Sequence, residues 1–314
     1  MLIISKVYNY IMIKKFRTRL LSPYISDLCI NSRSVKYLKK RIQKKRALKT
    51  FTADMKRVSI VSRDRLRLCG YYKEVPDAKR FIIAAHGWRS TSATDFKYQH
   101  ELFCEDECNV LYIDERCHGN SEGKYIGFGV LERYDILLWA RYAVKNLSNG
   151  LPVYLFGVSM GATSVMMASA LDLPADVKGI IADCGFTSPM DIWLEVTKNI
   201  EWLDKELFYK LSNKRCMKLA GYDATQHSTI RALEKTDIPI LFIHGGADTF
   251  VPPEMTKLSY NACASKKKIV IFEGAAHAKS CVVAPELYAE TLGGFYNFCE
   301  QEMNEYGAKS ETTT

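Results

Sequence analysis

A mostly parallel sheet of eight strands, flanked by helices on both faces, is the α/β fold class this sequence predicts, and three observations carry that expectation. Six short apolar runs are continuous rather than alternating: FIIAA (81–85), NVLYI (109–113), VYLF (153–156), GIIAD (179–183), ILFIH (240–244) and KIVIF (268–272). Helix-patterned segments separate them, around 94–104, 131–147, 159–171, 253–264 and 284–302. Before the first run, RVSIVS and LRLCGYY flank a turn at Arg63-Asp64, the pattern of an antiparallel hairpin. Strands apolar on both sides need cover on both faces, which a parallel sheet alternating with helices supplies. One connection is abnormal: some fifty residues, about 186–236, lie between the sixth and seventh strands, with helical patterning and many aromatics. An insertion at the carboxyl end of a strand lies over the ligand crevice of such a sheet, so the segment is expected to form a helical lid.

Composition agrees with a globular chain. The 314 residues are 47% hydrophobic and 25% charged, with 18 Gly and 9 Pro, which excludes collagen-like, low-complexity and wholly disordered classes. No run of 18 apolar residues is present to span a bilayer. The net charge of +9 is unevenly divided: residues 1–50 hold 14 Lys and Arg against one acid, Asp27, while residues 51–314 hold 30 basic and 34 acidic side chains. The basicity therefore belongs to an N-terminal extension, 1–50, outside a mildly acidic domain, 51–314. That extension starts with an interrupted apolar run of about 13 residues and continues into SRSVKYLKKRIQKKRALK (32–49). Its charges follow the apolar run rather than precede it, and no small-residue cleavage site is visible, unlike a secretory signal. The basic stretch reads either as a solvated helix against the domain or as a peripheral contact with an anionic membrane surface. No nucleic-acid motif accompanies it.

Ten scattered cysteines with no C-x-x-C pair read as small buried hydrophobes of a reducing, cytoplasmic compartment. His100, Cys104 and Cys108 would share a face if that segment were one helix, but a closed metal site needs a fourth ligand, so no metal is expected.

The chemistry is concentrated at strand ends. After VYLF comes Gly157-Val158-Ser159-Met160-Gly161 and then the small-residue helix ATSVMMASALDL. G-x-S-x-G between a strand and a helix is a nucleophile elbow, in which a strained turn presents the Ser hydroxyl at the sheet edge. A nucleophilic Ser needs a base, and the base an orienting acid. In the chain order that accompanies this elbow the acid follows a later strand and the His the last one. Asp248 stands in ILFIHGGADTFVPPE after the seventh strand, and His277 in KIVIFEGAAHAKS after the eighth. Asp183, at the end of the sixth strand, is the rival acid. His244 reads as a hydrogen-bonded core residue, and His227 and His100 as structural. Two backbone N–H groups are expected to hold an oxyanion, those of Met160 after the nucleophile and Trp88 in AAHGWRS, where Gly87 allows a close turn and His86 braces it.

From about residue 57 to 303 the chain resembles an α/β-hydrolase, of the bacterial group similar to prolyl-oligopeptidase-type hydrolases and cinnamoyl-type esterases. The matching segments are His86-Gly87, Asp114 to Gly123 (DERCHGNSEG), Gly157 to Gly161, Gly246 to Pro252 (GADTFVP) and Gly274 to His277. Two positions depart from the pattern: Cys117 replaces a common Gly, and Ala162 stands where a second Gly is frequent. The resemblance implies a structural, not catalytic, Asp114–Ser121 loop and a serine hydrolase acting on a small-molecule ester through an acyl-enzyme, with Ser159, His277 and Asp248 as the triad and no cofactor. Peptidase, thioesterase and acyltransferase chemistry use the same triad, and a membrane-associated binding protein on a hydrolase body is the alternative of a different class.

Overall fold

The apolar runs assemble into one sheet. The structure, a computed structural model, describes residues 35–311 apart from Trp202, and side chains over 42–301. Strands β1 (Lys56–Val61) and β2 (Arg67–Lys73) form the hairpin, and β3 (Arg80–Ala85), β4 (Cys108–Ile113), β5 (Val153–Val158), β6 (Val177–Asp183), β7 (Ile240–Gly245) and β8 (Lys267–Phe272) are the six runs. Their order across the sheet is β1-β2-β4-β3-β5-β6-β7-β8. Only β2 runs against the others: it pairs antiparallel with β1 and β4, and the remaining neighbours are parallel.

The helices are α1 (Val35–Phe51), α2 (Ser92–Asp95), α3 (Gln99–Glu105), α4 (Glu132–Asn146), α5 (Met160–Ala168), α6 (Pro189–Thr197), α7 (Lys205–Ala220), α8 (Thr229–Leu233), α9 (Pro253–Ala262), α10 (Ser280–Val283) and α11 (Pro285–Glu311). Alternation along the strands builds two cores. Ile83, Leu111, Leu155 and Phe242 pack with Trp139 and Ala140 of α4 and Val165 and Met166 of α5. Ile82, Val110, Phe156 and Leu241 face the other way, toward Phe103 of α3 and Tyr288, Leu292 and Phe295 of α11. The segment between β6 and β7 holds α6, α7 and α8. Ser188 caps α6 by accepting from the Asp191 N–H at 3.1 Å, with Pro189 at the first turn. Asp204 caps α7, which ends at Gly221 with φ 72°. A third core forms beneath these helices from Phe128, Phe186, Ile192, Trp193, Phe208 and Tyr222. Met217 of the same segment is 54% exposed, and Trp202 lies outside the described residues. Among the described residues no helix is long and apolar enough to cross a membrane.

Two elements differ from expectation. The helix predicted over 94–104 is broken at Phe96, because Asp95 is turned to accept from the Gly87 N–H at 2.7 Å and the Ser90 hydroxyl at 2.6 Å. The expected boundary after residue 50 falls inside α1. Leu48 is buried in the second core, and Phe51 packs edge-on against His100 and Tyr112.

The loops after β3 and β4 meet at the sheet's crest, held by two imidazoles. His86 Nδ1–H donates to the Gly87 carbonyl at 2.8 Å, and its Nε2 accepts from the Glu115 N–H at 3.2 Å. His118 Nδ1–H donates to the Arg116 carbonyl at 2.8 Å, and its Nε2 accepts from the Arg89 N–H at 2.8 Å. Each ring must donate at one nitrogen and accept at the other, so both must be neutral. Burial enforces this, pushing His86 down to about 4 and His118 to about 3. Beside them, Arg116 makes a buried bidentate pair with Asp135 at 2.6 and 2.8 Å, and reaches the half-exposed Asp64 at 3.0 Å.

Two stability predictions follow from these loops. Asp135→Ala leaves the Arg116 guanidinium buried against Asp64 alone, and urea unfolding should show a loss of about 3–5 kcal/mol, against about 1 kcal/mol or less for Asp64→Ala. The unfolded His86 and His118 take up protons near pH 6.5, above their folded values. Each therefore contributes stability that is complete above about pH 6.5 and is lost as pH falls toward 4 and 3. The melting temperature of His118→Asn should accordingly fall less than that of the wild type between about pH 7 and pH 4.5. Parallel declines would contradict the neutral pair.

Candidate active site

The elbow is dictated by backbone contact. β5 ends at Val158 and α5 begins at Met160, leaving Ser159 alone to reverse the chain with φ 56° and ψ −115°. Its N–H donates to the Asp183 carbonyl at 2.8 Å. A Cβ on Gly157 would lie 2.3 Å from the Gly161 carbonyl carbon, and one on Gly161 would lie 2.0 Å from the Ala85 carbonyl oxygen. Strand, helix and the end of β3 approach too closely for any side chain at these two positions, which is the physical content of the G-x-S-x-G spacing.

Asp248 and His277 are brought to Ser159 from loops 89 and 118 residues further along the sequence. His277 Nε2 lies 3.0 Å from Ser159 Oγ, and Nδ1 lies 2.6 Å from Asp248 Oδ2. Asp248 Oδ1 accepts from the Phe250 and Val251 N–H groups, each at 2.9 Å. Burial alone would push Asp248 up, but hydrogen bonds from His244 and His277 and the charge of His277 hold it well below the usual carboxylate range. The rival Asp183 is fully buried, pushed up to about 6 by burial, and accepts from the Tyr288 hydroxyl at 2.8 Å. It braces α11 and makes no hydrogen bond to His277.

His244 does more than the sequence reading assigned to it. It is a buried, hydrogen-bonded residue as expected, with Nδ1 2.7 Å from the Thr256 hydroxyl and Nε2 2.9 Å from the Val251 carbonyl. Its Nε2 is also 3.2 Å from Asp248 Oδ2, the oxygen that faces His277. A polar residue closing an otherwise apolar strand was the available signal.

The peptide between Gly87 and Trp88 has a fixed orientation. The Gly87 carbonyl takes hydrogen bonds from His86 Nδ1–H at 2.8 Å and the Ser90 N–H at 3.2 Å. In a planar trans peptide the Trp88 N–H then points the opposite way. The amides of Gly87, Arg89 and Ser90 all have acceptors inside the protein. Gly87 is also close to Ser159, since a Cβ there would meet Ser159 Cβ at 3.0 Å. Met160 opens α5, so its N–H belongs to the helix's unpaired first turn at the positive end of the dipole.

Beside Ser159 opens a narrow slot of about 20 Å³ lined by Trp88, Phe128, Phe186, Ile192, Trp193, Val196 and Phe250. A larger groove of about 1150 Å³ lies at the opposite end of the sheet, around Asp172, Lys178, Asp237 and Lys266 before β6, β7 and β8. It is lined by no histidine. His100 and Cys104 lie on α3 while Cys108 opens β4, so the three do not share one helix face. Among the described residues the grouping with metal-ligating atoms is Cys184, Asp248 and His277, within 4.8 Å of one another. Burial, then the charges of Asp183 and Asp248, push the Cys184 thiol far up.

The family model of serine aminopeptidase S33 (Hydrolase_4) matches residues 76–214. The uncharacterized protein YqkD of Bacillus subtilis is 29% identical over 236 residues, 72% of this chain and 74% of its own length. The Pyrococcus furiosus esterase Pf2001 superposes with a TM-score of 0.64 at 20% identity, covering 79% of this chain and 93% of the esterase. Est1E of Butyrivibrio proteoclasticus, solved with ferulic acid, gives 0.60 at 21% identity, covering 78% and 99%. With its strand order and these likenesses, the chain has the α/β-hydrolase fold.

Proposed function

We propose that this protein is a serine hydrolase that cleaves a small carboxylic ester through an acyl-enzyme. One observation carries the reading: the unbroken hydrogen-bonded chain from Asp248 through His277 to the hydroxyl of Ser159. Ser159 Oγ attacks the ester carbonyl while His277 Nε2 takes its proton. The charge that develops on the carbonyl oxygen is stabilised by the Trp88 and Met160 amides, dipoles already oriented before the reaction begins. Collapse expels the alcohol, which receives the proton from His277, and leaves the acyl group on Ser159. Water then repeats the sequence, with His277 again as base, and releases the acid. Asp248, ionised throughout, holds the imidazole in the tautomer with Nδ1–H and stabilises the imidazolium.

The slot supports an ester reading over an aminopeptidase one. An aminopeptidase must pair the ammonium of its substrate, and the residues lining the slot are apolar apart from Ser159. Ile192, Trp193 and Val196 of the inserted segment form part of the slot's wall, so that segment acts as a lid that bounds the acyl group. The slot's apolar lining suits an apolar acyl group.

Ser159→Ala should lose about 10³-fold or more in kcat toward p-nitrophenyl butyrate while remaining folded by circular dichroism. Asp248→Asn should lose about 10²–10⁴-fold, and Asp183→Asn far less. The wild type should turn over acetyl and butyryl esters faster than an aminoacyl nitroanilide. Near-normal turnover by Ser159→Ala would sink the mechanism, and a preference for the anilide would return the slot to a peptidase.

A further inference from the structure

The helix outside the family resemblance reaches the loop that carries the Trp88 amide. Lys44 of α1 donates from Nζ to the Arg89 carbonyl at 2.5 Å, across 45 residues of sequence. Arg89 needs holding. It adopts φ 52°, a left-handed conformation unfavourable for a residue with a Cβ, and it immediately follows Trp88. Its N–H is taken by His118 Nε2 at 2.8 Å and its carbonyl by Lys44, so both sides of the strained residue are pinned. The other side of Trp88 is pinned by Asp95, which accepts from the Gly87 N–H at 2.7 Å. Burial pushes the Asp95 carboxyl up, and the hydrogen bonds from Ser90 and Gly87 and the charge of Lys44 oppose that rise. Two observations show that Lys44 is delivered by a docked helix. Leu48, one turn further along α1, is 2% exposed, and Phe51 stacks edge-on against His100 and Tyr112 with centroids 5.1 and 5.2 Å apart.

We propose that Lys44 is a positioning residue for the oxyanion-binding loop, so that the basic N-terminal helix forms part of the working hydrolase rather than a detachable arm. The proposal rests on the assignment of the Trp88 amide as an oxyanion donor. A loose loop would still admit the ester, because the neutral ground-state carbonyl asks little of that amide. The cost falls on the transition state, where the oxygen carries charge, and therefore on kcat rather than KM.

The test uses the full-length protein as wild type, Lys44→Met, Lys44→Arg and Lys49→Met, the last an exposed lysine of the same helix. Rates on p-nitrophenyl butyrate are measured well below each melting temperature and normalised to the serine titrated by a fluorophosphonate, so that unfolded protein does not count. Lys44→Met should lower kcat about tenfold, short of the 10²–10³ that deleting an oxyanion donor brings, with KM within about twofold. Lys44→Arg should recover most of the loss, and Lys49→Met should match the wild type. Three results overturn the role of Lys44: an unchanged kcat per titrated serine in Lys44→Met, a loss confined to KM, or a loss that Lys44→Arg does not repair. A wild type that neither hydrolyses the ester nor reacts with the fluorophosphonate overturns the serine hydrolase reading and this proposal with it.

Discussion

Ser159 is held at φ 56° between two glycines that touch backbone on either side, and most of the crest is arranged around that strained residue. A left-handed non-glycine residue costs of order 1–2 kcal/mol and persists only where its surroundings over-determine it. Here they do. The packing of β5 against β3 and α5 leaves no room for any other path, and the Ser159 N–H is tied to the Asp183 carbonyl at 2.8 Å. The same reversal lifts the hydroxyl out of the sheet toward His277 and turns the Met160 amide outward at the start of α5. One backbone distortion thus supplies both the proposed nucleophile and one of the two donors proposed for the oxyanion.

The electrostatics around this turn divide buried groups by role. Asp248 and Asp183 lie at the ends of adjacent strands, yet burial decides one and hydrogen bonding the other. Asp248 receives two backbone N–H groups and two imidazoles and is held anionic, whereas Asp183, with a single Tyr288 hydroxyl, is pushed up to about 6. The histidines divide in the same way. His277, facing Ser159, is 23% exposed on its side chain, while His86 and His118 are buried, neutral and fully engaged by backbone.

Much of this was legible in the sequence. Continuous apolar runs gave the strands within a residue or two, since burial on both faces leaves little freedom in composition. The elbow and the loops bearing Asp248 and His277 were legible because backbone contact fixes glycines and chain order fixes strand ends. What could not be read required knowing which loops meet. The contact of His118 with Arg89 joins loops 29 residues apart, and that of Lys44 joins segments 45 apart. Nothing local distinguishes Lys44 from the lysines around it, since only the docking of Leu48 and Phe51 sets which one turns inward. Likewise the helix expected over 94–104 was interrupted by a demand from elsewhere, the Asp95 carboxylate being required at the Gly87 amide.

The central claim is that an anionic tetrahedral centre on Ser159 is cradled by the Trp88 and Met160 amides. A crystal structure of the protein after reaction with a short-chain alkylphosphonate, whose tetrahedral phosphorus stands in for the carbonyl carbon, tests it most directly. The account predicts a bond from Ser159 Oγ to phosphorus, with the phosphoryl oxygen about 2.7–3.1 Å from both amide nitrogens and the alkyl group on the side of the slot lined by Phe128 and Trp193. An adduct on another residue, or a phosphoryl oxygen turned away from both amides, would contradict it.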